Sequence, residues 1–185
     1  GYNKKESYGR NFDYLAFNCE RKEVSEKYVR KAINLVIDRT DIVRTVYNGK
    51  YMPADYPLEY GSYLENKANS TYEVMNLSKA KLILEDSGWT YTNKAWQKKI
   101  DNSNVRLKLD LLVNSSNEAR VNVANKIKEQ LEEIGIQIKV VAVKDKTYES
   151  YVSNKNYDIL LTGVTVGVSP SLERYFGEGN LANYE

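Results

Sequence analysis

The chain has 185 residues, and its 27 Lys and Arg against 25 Asp and Glu give a net charge of +2. This near balance implies no strong attraction to nucleic acid or anionic membranes, and no apolar run approaches the roughly 20 residues that span a bilayer. The sequence has no histidine and one cysteine, which excludes histidine-based catalytic triads, most zinc sites and an internal disulfide. The length suits one domain, and we expect no cofactor.

The single cysteine and the tyrosine content each raise a choice between two interpretations. Cys19 lies in the segment AFNCER, and a lone cysteine is usually a small packed apolar residue rather than a nucleophile. We therefore predict that Cys19 is packed and unreactive. The 16 tyrosines fit a peptide- or sugar-binding surface and fit biased codon usage equally well.

The first part of the chain predicts a strand followed by two helices. Residues 11–18, NFDYLAFN, carry aromatic and apolar residues at both alternating sets of positions, which favours a strand partly buried on both faces. Apolar residues at helical spacing follow, with Ser25 placed to cap the helix. Asp38 can end this helix and cap the next one, which stops at Asn48-Gly49.

An irregular segment separates these helices from a third one. Residues 51–70 contain two prolines and show no clean period, so we predict a long loop. Its first part, residues 51–63, either contacts a ligand or merely wraps around the domain. The segment NLSKAKLILEDSGW then predicts a helix with Asn76 as its cap and Gly88 as its stop.

Residues 89–99 mix aromatic and basic side chains and allow two interpretations. Trp89, Tyr91 and Trp96 alternate with lysines in WTYTNKAWQKK, a combination that can stack and neutralise single-stranded nucleic acid. The same pattern fits a hairpin connection whose aromatic rings pack on a sheet. The low net charge favours the hairpin.

The second half of the chain predicts a parallel strand–helix–strand unit. Residues 105–113 alternate as one strand, and Ser115 and Glu118 have the spacing of a capping box. An apolar stripe at helical spacing ends at Gly135, and a second strand, IQIKVVAVK, follows at once. A short helix then leads to a final strand in residues 157–164. Alternating helices and strands of this length indicate an α/β fold.

Reaction machinery is not apparent in the sequence. No glycine-rich phosphate loop follows a strand, and the carboxylates show no spacing that would converge on a metal. We therefore expect a binding protein rather than an enzyme, with a pocket built from backbone groups, hydroxyls and aromatic rings. A catalytic role that depends on one serine or on Cys19 is the weakest of the alternatives.

Four motifs follow one another along nearly the whole chain, and together they are far more specific than any one alone. They comprise Phe17-Asn18 with Val29-Arg30-Lys31-Ala32, Ile37-Asp38-Arg39 and Gly49; Lys79-Ala80-Lys81 with Ser87-Gly88-Trp89; Gln130-Leu131 with Glu133-Ile134-Gly135-Ile136; and Tyr157-Asp158-Ile159 with Gly163. In this order they resemble the C-terminal lobe of family-5 extracellular solute-binding proteins. These proteins are the oligopeptide, dipeptide and nickel receptors of bacterial ABC importers.

The resemblance implies a lobe of the type II periplasmic-binding-protein class, with a mixed, mostly parallel sheet and helices on both faces. Residues 1–185 would then form a single solute-binding lobe of a larger two-lobed receptor that closes about a hinge. The implied function is the substrate-binding component of an ABC importer, for oligopeptides or dipeptides first. Nickel or another small solute is the alternative cargo, and a nucleic-acid or protein interaction module is the alternative of a different class.

The resemblance also implies a location and partners. The receptor would work outside the cytoplasm, at the cell surface or in the periplasm, with a signal peptide and a lipid-modified cysteine upstream of this chain. Its partners would be a peptide or small-molecule ligand and an ABC permease in the membrane, with no nucleic acid. The isolated lobe would be monomeric.

The ligand is expected at the carboxyl edge of the sheet, where solutes bind in open α/β folds. We place this edge at the ends of residues 11–18 and 157–164. Relatives carry a tryptophan and an acidic residue after the last strand, but this chain has Val164 and no carboxylate there. We therefore predict a burial-driven pocket with hydroxyls and free backbone groups. The predicted ligand-binding residues are Asn18, Gly163, Val164, Thr165, Val166, Gly167 and Ser169.

Overall fold

The structure is a computed structural model that describes residues 9–57 and 73–166. Strands and helices alternate through the second half of the chain, as the sequence predicts. The helices within the described residues are α1 (Lys22–Ser25), α2 (Lys27–Val36), α3 (Arg39–Val46), α4 (Leu77–Asp86), α5 (Glu118–Glu133) and α6 (Asp145–Ser153). The strands are β1 (Asn11–Phe17), β2 (Thr90–Thr92), β3 (Ala95–Ile100), β4 (Ser103–Arg106), β5 (Lys108–Asn114), β6 (Gln137–Val143) and β7 (Ile159–Thr165).

Two sheets organise these strands. The larger sheet has the order β1-β7-β5-β6, and the smaller one is the antiparallel meander β2-β3-β4. β5 pairs in parallel with both β6 and β7, whereas β1 runs antiparallel to β7 at the edge of the sheet. The expected mixed, mostly parallel sheet is therefore confirmed.

Helices cover both faces of the larger sheet, as expected. On one face, Leu109, Leu111 and Leu161 belong to a core shared with α2, α4 and α5. On the other face, Leu112 and Leu160 are buried in a smaller cluster that α6 covers. Because side chains alternate along a strand, each strand of this sheet contributes to both cores.

The parallel unit β5–α5–β6 forms as predicted, but its helix cap is a different residue. The side chain of Asn117 accepts a hydrogen bond from the backbone N–H of Arg120 and caps α5, so the predicted capping box at Ser115 is wrong. The chain first makes a turn in which Asn114 Oδ1 accepts from the N–H of Ser116. This turn delays the start of the helix by two residues. Gly135 follows the end of α5 with a φ of +88° and leads into β6.

Residues 105–113 form parts of two strands rather than the single strand predicted. The chain moves from the smaller sheet to the larger one at the buried Leu107, between β4 and β5. The N–H of Leu107 donates to the carbonyl of Trp96, and its carbonyl accepts from the N–H of Gln137. Leu107 thereby joins the two sheets, which a pattern of alternating residues cannot reveal.

The caps of the first helices agree only partly with prediction. Ser25 does not cap α2, because it is the last residue of α1 and its hydroxyl donates to the carbonyl of Lys22 at the start of that helix. Glu26 takes the N-cap position, and its carboxylate instead accepts from Lys98 Nζ at 2.5 Å. Asp38 caps α3 as predicted, and Asn48 follows the helix with a φ of 51°.

The two tryptophans at the hairpin β2–β3, Trp89 just before β2 and Trp96 on β3, are part of the core. Trp89 and Trp96 are 1% and 2% exposed, and Trp96 Nε1 donates to the carbonyl of Ile134 at 2.8 Å. The packed interpretation of residues 89–99 is therefore confirmed for both tryptophans. Tyr91 is the exposed aromatic residue of this hairpin.

The prediction that Cys19 is packed is wrong, because its side chain is exposed. The residue lies in the turn that follows β1, where the side chain of Asn18 points inward instead. The thiol contacts the carbonyl of Phe17 at 3.8 Å. In this short turn only one of the two neighbouring side chains is buried, and it is the side-chain amide of Asn18 rather than the thiol of Cys19.

Candidate ligand-binding edge

The carboxyl edge of the larger sheet brings together the ends of β5, β6 and β7 and the start of β1. Thr165 at the end of β7 is paired with Asn11 at the start of β1, and the Thr165 hydroxyl donates to Asn11 Oδ1 at 3.2 Å. Of the predicted site residues, Gly163, Val164 and Thr165 lie at this edge. Gly167 and Ser169 lie outside the described residues.

Val166 lies at the same edge, but its side chain is buried. Its exposed fraction is 5%, and its N–H donates to the carbonyl of Arg10 at 2.7 Å. The side chain and the N–H of Val166, which the sequence predicts to face a ligand, therefore make contacts within the fold instead.

Asn18 lies at the opposite edge, so its predicted position beside the end of β7 is wrong. β1 runs antiparallel to β7, and Phe17 pairs with Ile159 at the beginning of β7. Asn18 Nδ2 donates to the carbonyls of Lys155 and Tyr157 at 3.0 and 3.2 Å. The buried Asn18 therefore holds the two chain segments together.

Asp158 completes the interlock at that opposite edge. Its Oδ2 accepts from the N–H of Asp110 at 2.7 Å, and its carbonyl accepts from the N–H of Asn18 at 3.0 Å. Burial raises the pKa of Asp158 above its ordinary value. The motifs around Asn18 and Asp158 therefore meet in space and maintain the alignment of β1, β7 and β5.

A polar cluster that the sequence did not suggest lies at the carboxyl edge. The guanidinium of Arg120, on α5, donates to Asp13 Oδ1 of β1 from Nε at 3.2 Å and from Nη2 at 2.8 Å. Tyr47, at the end of α3, donates from its hydroxyl to Asp13 Oδ2 at 3.3 Å. Three separate elements thus supply one acid, one guanidinium and one phenol; we call these residues the Asp13 cluster.

Gly163 makes room for the Asp13 cluster. A Cβ atom at this position would lie 2.0 Å from Asp13 Oδ1 and 2.1 Å from Arg120 Nη2. These distances are far below van der Waals contact, so any side chain at Gly163 would displace the ion pair. The absence of a side chain at Gly163 therefore has a packing reason, whatever this residue contributes to a ligand.

The environment of Tyr47 keeps its phenol protonated. Burial, followed by the nearby Asp13 carboxylate, raises the pKa of Tyr47 to about 12. The hydroxyl is therefore a neutral hydrogen-bonding group at any physiological pH. Its ring contacts that of Tyr51, with 4.2 Å between the centroids.

An aromatic pair lies on the other face of the same edge. Phe12 is the register partner of Val164, and its ring stacks on Tyr14 with 5.9 Å between centroids. Thr162 on β7 is the register partner of Tyr14, and its hydroxyl accepts a hydrogen bond from the hydroxyl of Tyr148 at 3.4 Å. The aromatic surface that Val164 lacks is therefore present on the neighbouring strand.

A groove adjoins the Asp13 cluster on the outer side of β1. This cavity of about 420 Å³ lies between β1, α2, α3, α5 and residues 51–55, and we call it the β1 groove. Residues 51–55 belong to the predicted loop 51–63 and line the groove. The remainder of that loop, from residue 58 on, lies outside the described residues.

Within residues 9–57 and 73–166, no three His, Cys, Asp or Glu side chains come close enough together to hold a metal ion. In the same part of the chain, none of the helices has the length and apolarity needed to cross a membrane.

The fold and this edge define a class: an α/β lobe that can hold a solute at the carboxyl ends of its strands. Residues 1–180 match the bacterial extracellular solute-binding proteins, family 5, in the middle region of that family. The chain belongs to this family.

Individual relatives agree with the family match. The chain is 28% identical over 152 residues to the oligopeptide-binding protein AppA of Bacillus subtilis, which covers 80% of this chain and 27% of AppA. It is 24% identical to the peptide transport periplasmic protein SapA of Haemophilus influenzae, over 86% of this chain and 26% of SapA. The chain therefore spans about a quarter of the length of these relatives.

Solved structures show the same fold. AppA in complex with a nonapeptide superposes with a TM-score of 0.86 and 25% identity, over 96% of this chain and 36% of AppA. NikZ of Campylobacter jejuni, solved with Ni(L-His), gives a TM-score of 0.78 at 23% identity, over 90% of this chain and 32% of NikZ. The second likeness concerns the fold alone. The expected α/β lobe of the periplasmic-binding-protein type is confirmed.

Proposed function

We propose that residues 1–185 form one lobe of a two-lobed receptor that binds peptides and delivers them to an ABC importer. The ligand lies between the lobes, against the carboxyl edge of the larger sheet. The family membership supports a solute-binding role, and the similarity to AppA and SapA favours peptides among the solutes. The lobe binds and releases its ligand without chemical change.

The observation that carries this proposal is the Asp13 cluster beside the β1 groove. A binding pocket combines an apolar lining with a few polar groups in fixed positions. Here Arg120 and Tyr47 hold the Asp13 carboxylate beside an apolar cavity, at the edge where α/β folds bind ligands. A peptide offers N–H groups to the carboxylate and phenol oxygens, carbonyls to the guanidinium and side chains to the cavity.

The contribution of the last strand follows from its geometry. Gly163 allows the cluster to form, Thr165 presents an exposed hydroxyl, and Val164 adds apolar surface. Gly167 and Ser169 stay in our proposal as ligand-binding residues predicted from the sequence. Asn18 is left out of it because of its buried position at the opposite edge.

Location and partners follow from the same assignment. The relatives are extracellular or periplasmic binding proteins by name. We place the receptor outside the cytoplasm, attached to the membrane by a lipid, where it docks on an ABC permease. The lobe is monomeric and binds no nucleic acid.

Thermal-shift measurements on the intact receptor with peptide mixtures test this function. We expect pools of short peptides to raise the melting temperature, and Arg120→Gln to reduce this shift. Lys126→Gln is the matched control, because Lys126 also forms an ion pair on α5, with Asp41, away from Gly163. A receptor that ignores every peptide pool but is stabilised by another class of solute would refute the peptide assignment.

A further inference from the structure

The β1 groove has an apolar floor that the Asp13 cluster does not use. Its volume of about 420 Å³ lies within the range of roughly 300–1,000 Å³ that is typical of small-molecule pockets. Much of its lining is aliphatic or aromatic and comes from strands and helices on four sides. This floor includes Leu15, Phe17, Ile33, Ile42, Val123 and Leu161.

The upper wall of the groove is held in place by one arginine. Arg39, at the start of α3, donates from Nη1 to the carbonyl of Ala54 at 2.5 Å and from Nη2 to Asp55 Oδ1 at 2.9 Å. Both acceptors lie in the segment that lines the groove. The cavity therefore has a defined shape over the described residues.

Apolar side chains are exposed at the mouth of the groove. Tyr51 and Met52 are 49% and 41% exposed, although both are large and apolar. Exposed apolar groups that border a cavity are typical of binding surfaces. The side chains of Tyr51 and Met52 would therefore lose contact with water when a ligand fills the groove.

The charges at the groove limit what can fill it. Among the described residues, two carboxylates line it, and each has a guanidinium partner: Asp13 pairs with Arg120 and Asp55 pairs with Arg39. A charged group that entered the apolar floor would lose its hydration without gaining an opposite charge, which is costly. The occupant that matches this lining is neutral and apolar.

We propose that the β1 groove accepts one neutral apolar side chain, aliphatic or aromatic, of the bound solute, and so determines which solutes the receptor prefers. The polar part of the solute then lies over Tyr47 and the strand ends at the carboxyl edge. This inference rests on the proposed function, and it adds the chemical class of the preferred ligand.

Filling the groove tests the inference. Val43 lines it and is half-buried, so Val43→Phe reduces the space for a ligand side chain. Val46→Phe is the matched control, because Val46 is also half-buried on α3 but does not line the groove. Val46 packs instead against the core that α2, α4 and α5 share with the larger sheet. Val43→Met is a smaller filling that can replace Val43→Phe if that variant does not fold.

The probes are an all-alanine nonapeptide and its variants with one Leu or Trp at each position, measured on the intact receptor by calorimetry. In the wild type, we expect one position at which Leu or Trp binds roughly tenfold to thirtyfold tighter than Ala, the ratio that burial of the added apolar area gives. Val43→Phe reduces this ratio below about threefold, whereas Val46→Phe keeps it. A wild type without any such preference, or an unchanged ratio in Val43→Phe, overturns the inference.

A second probe separates this inference from the peptide assignment. If no nonapeptide binds, the peptide function has failed, and saturation-transfer NMR with indole then tests the groove alone. Binding of indole that is lost in Val43→Phe and kept in Val46→Phe supports an apolar pocket for a different solute. Absence of indole binding to the wild type, including the case in which the chain fills its own groove, overturns the inference.

Discussion

Gly163→Ala tests whether the packing of the Asp13 cluster controls ligand binding. The new methyl group would lie 2.0 Å from Asp13 Oδ1 and 2.1 Å from Arg120 Nη2. Both atoms end side chains that can rotate, so the ion pair yields before the backbone of β7 does. We therefore expect a folded protein in which Asp13 and Arg120 are separated.

The expected change in stability is small because two effects oppose each other. The pair is partly exposed, with 23% of the Arg120 side chain and 32% of the Asp13 side chain accessible, and such pairs contribute about 0–1 kcal/mol. Replacing glycine by alanine within a strand gains about 0.5–1 kcal/mol of conformational entropy. The free energy of unfolding should therefore change by less than about 1 kcal/mol.

Ligand affinity should respond more strongly than stability. Displacement of Arg120 removes a positioned donor from the carboxyl edge, and we expect the affinity of the intact receptor for its peptide to fall at least about tenfold, or about 1.4 kcal/mol. Urea unfolding, followed by tryptophan fluorescence, measures stability, and calorimetry measures affinity. Gly9→Ala is the matched control, because a Cβ at Gly9 meets nothing within 4 Å.

A double-mutant cycle with Asp13→Ala identifies the cause. If the clash with Asp13 is what displaces the pair, the two substitutions together cost less than the sum of their separate effects. Strictly additive effects, or a loss of stability above about 3 kcal/mol for Gly163→Ala alone, would refute the reasoning, since losses of that size point to disruption of the core.

Three further predictions concern the core and the phenol of the cluster. Gly135→Ala should cost about 1–3 kcal/mol in urea unfolding, because φ is +88° there and a Cβ would lie 2.3 Å from the ring of Tyr91; an unchanged midpoint would contradict this. Trp96→Phe leaves the buried carbonyl of Ile134 without its donor and should cost about 1–3 kcal/mol by the same measurement; a neutral result would show that the bond contributes nothing. Because the pKa of Tyr47 is raised from 10.0 to about 12, its contribution to stability is complete below pH 10 and is lost as the pH rises toward 12. The difference in ultraviolet titration between the wild type and Tyr47→Phe should accordingly show one tyrosine ionising near pH 12, and ionisation near 10 would contradict the assigned environment.

The sequence predicts the local units of this fold well. The parallel unit β5–α5–β6, the caps at Asp38 and Asn76 and the stops at Gly88 and Gly135 depend on residues close together in the chain. The incorrect caps have two causes: near Ser115 the side chains of Asn114 and Asn117 accept from the backbone N–H groups, whereas the Ser25 hydroxyl donates to the carbonyl of Lys22. Local spacing alone does not decide between such arrangements.

The candidate site depends on contacts that local patterns do not contain. Asp13 and Arg120 are 107 positions apart, and an acid in a strand and an arginine in a helix are each ordinary surface residues. The direction of β1 relative to β7 is equally absent from the pattern, which explains why Asn18 was assigned to the wrong edge. One signal could have helped: a glycine within the final strand, at Gly163, marks a place where other groups approach closely.

The position of β1 has a consequence for the order in which the fold forms. Its pairing with β7 joins Asn11 to Thr165, which are 154 positions apart, whereas β5, α5 and β6 are consecutive in the chain. Contacts between distant residues carry the larger cost of loop closure. We therefore expect pulse-labelled hydrogen exchange to show protection of the β1 amides after those of β5 and β6; simultaneous protection would contradict this order. Since Asp13 and one wall of the groove belong to β1, the candidate ligand-binding edge should form after the β5–α5–β6 unit, and a solute that binds there would stabilise the lobe in which β1 is paired.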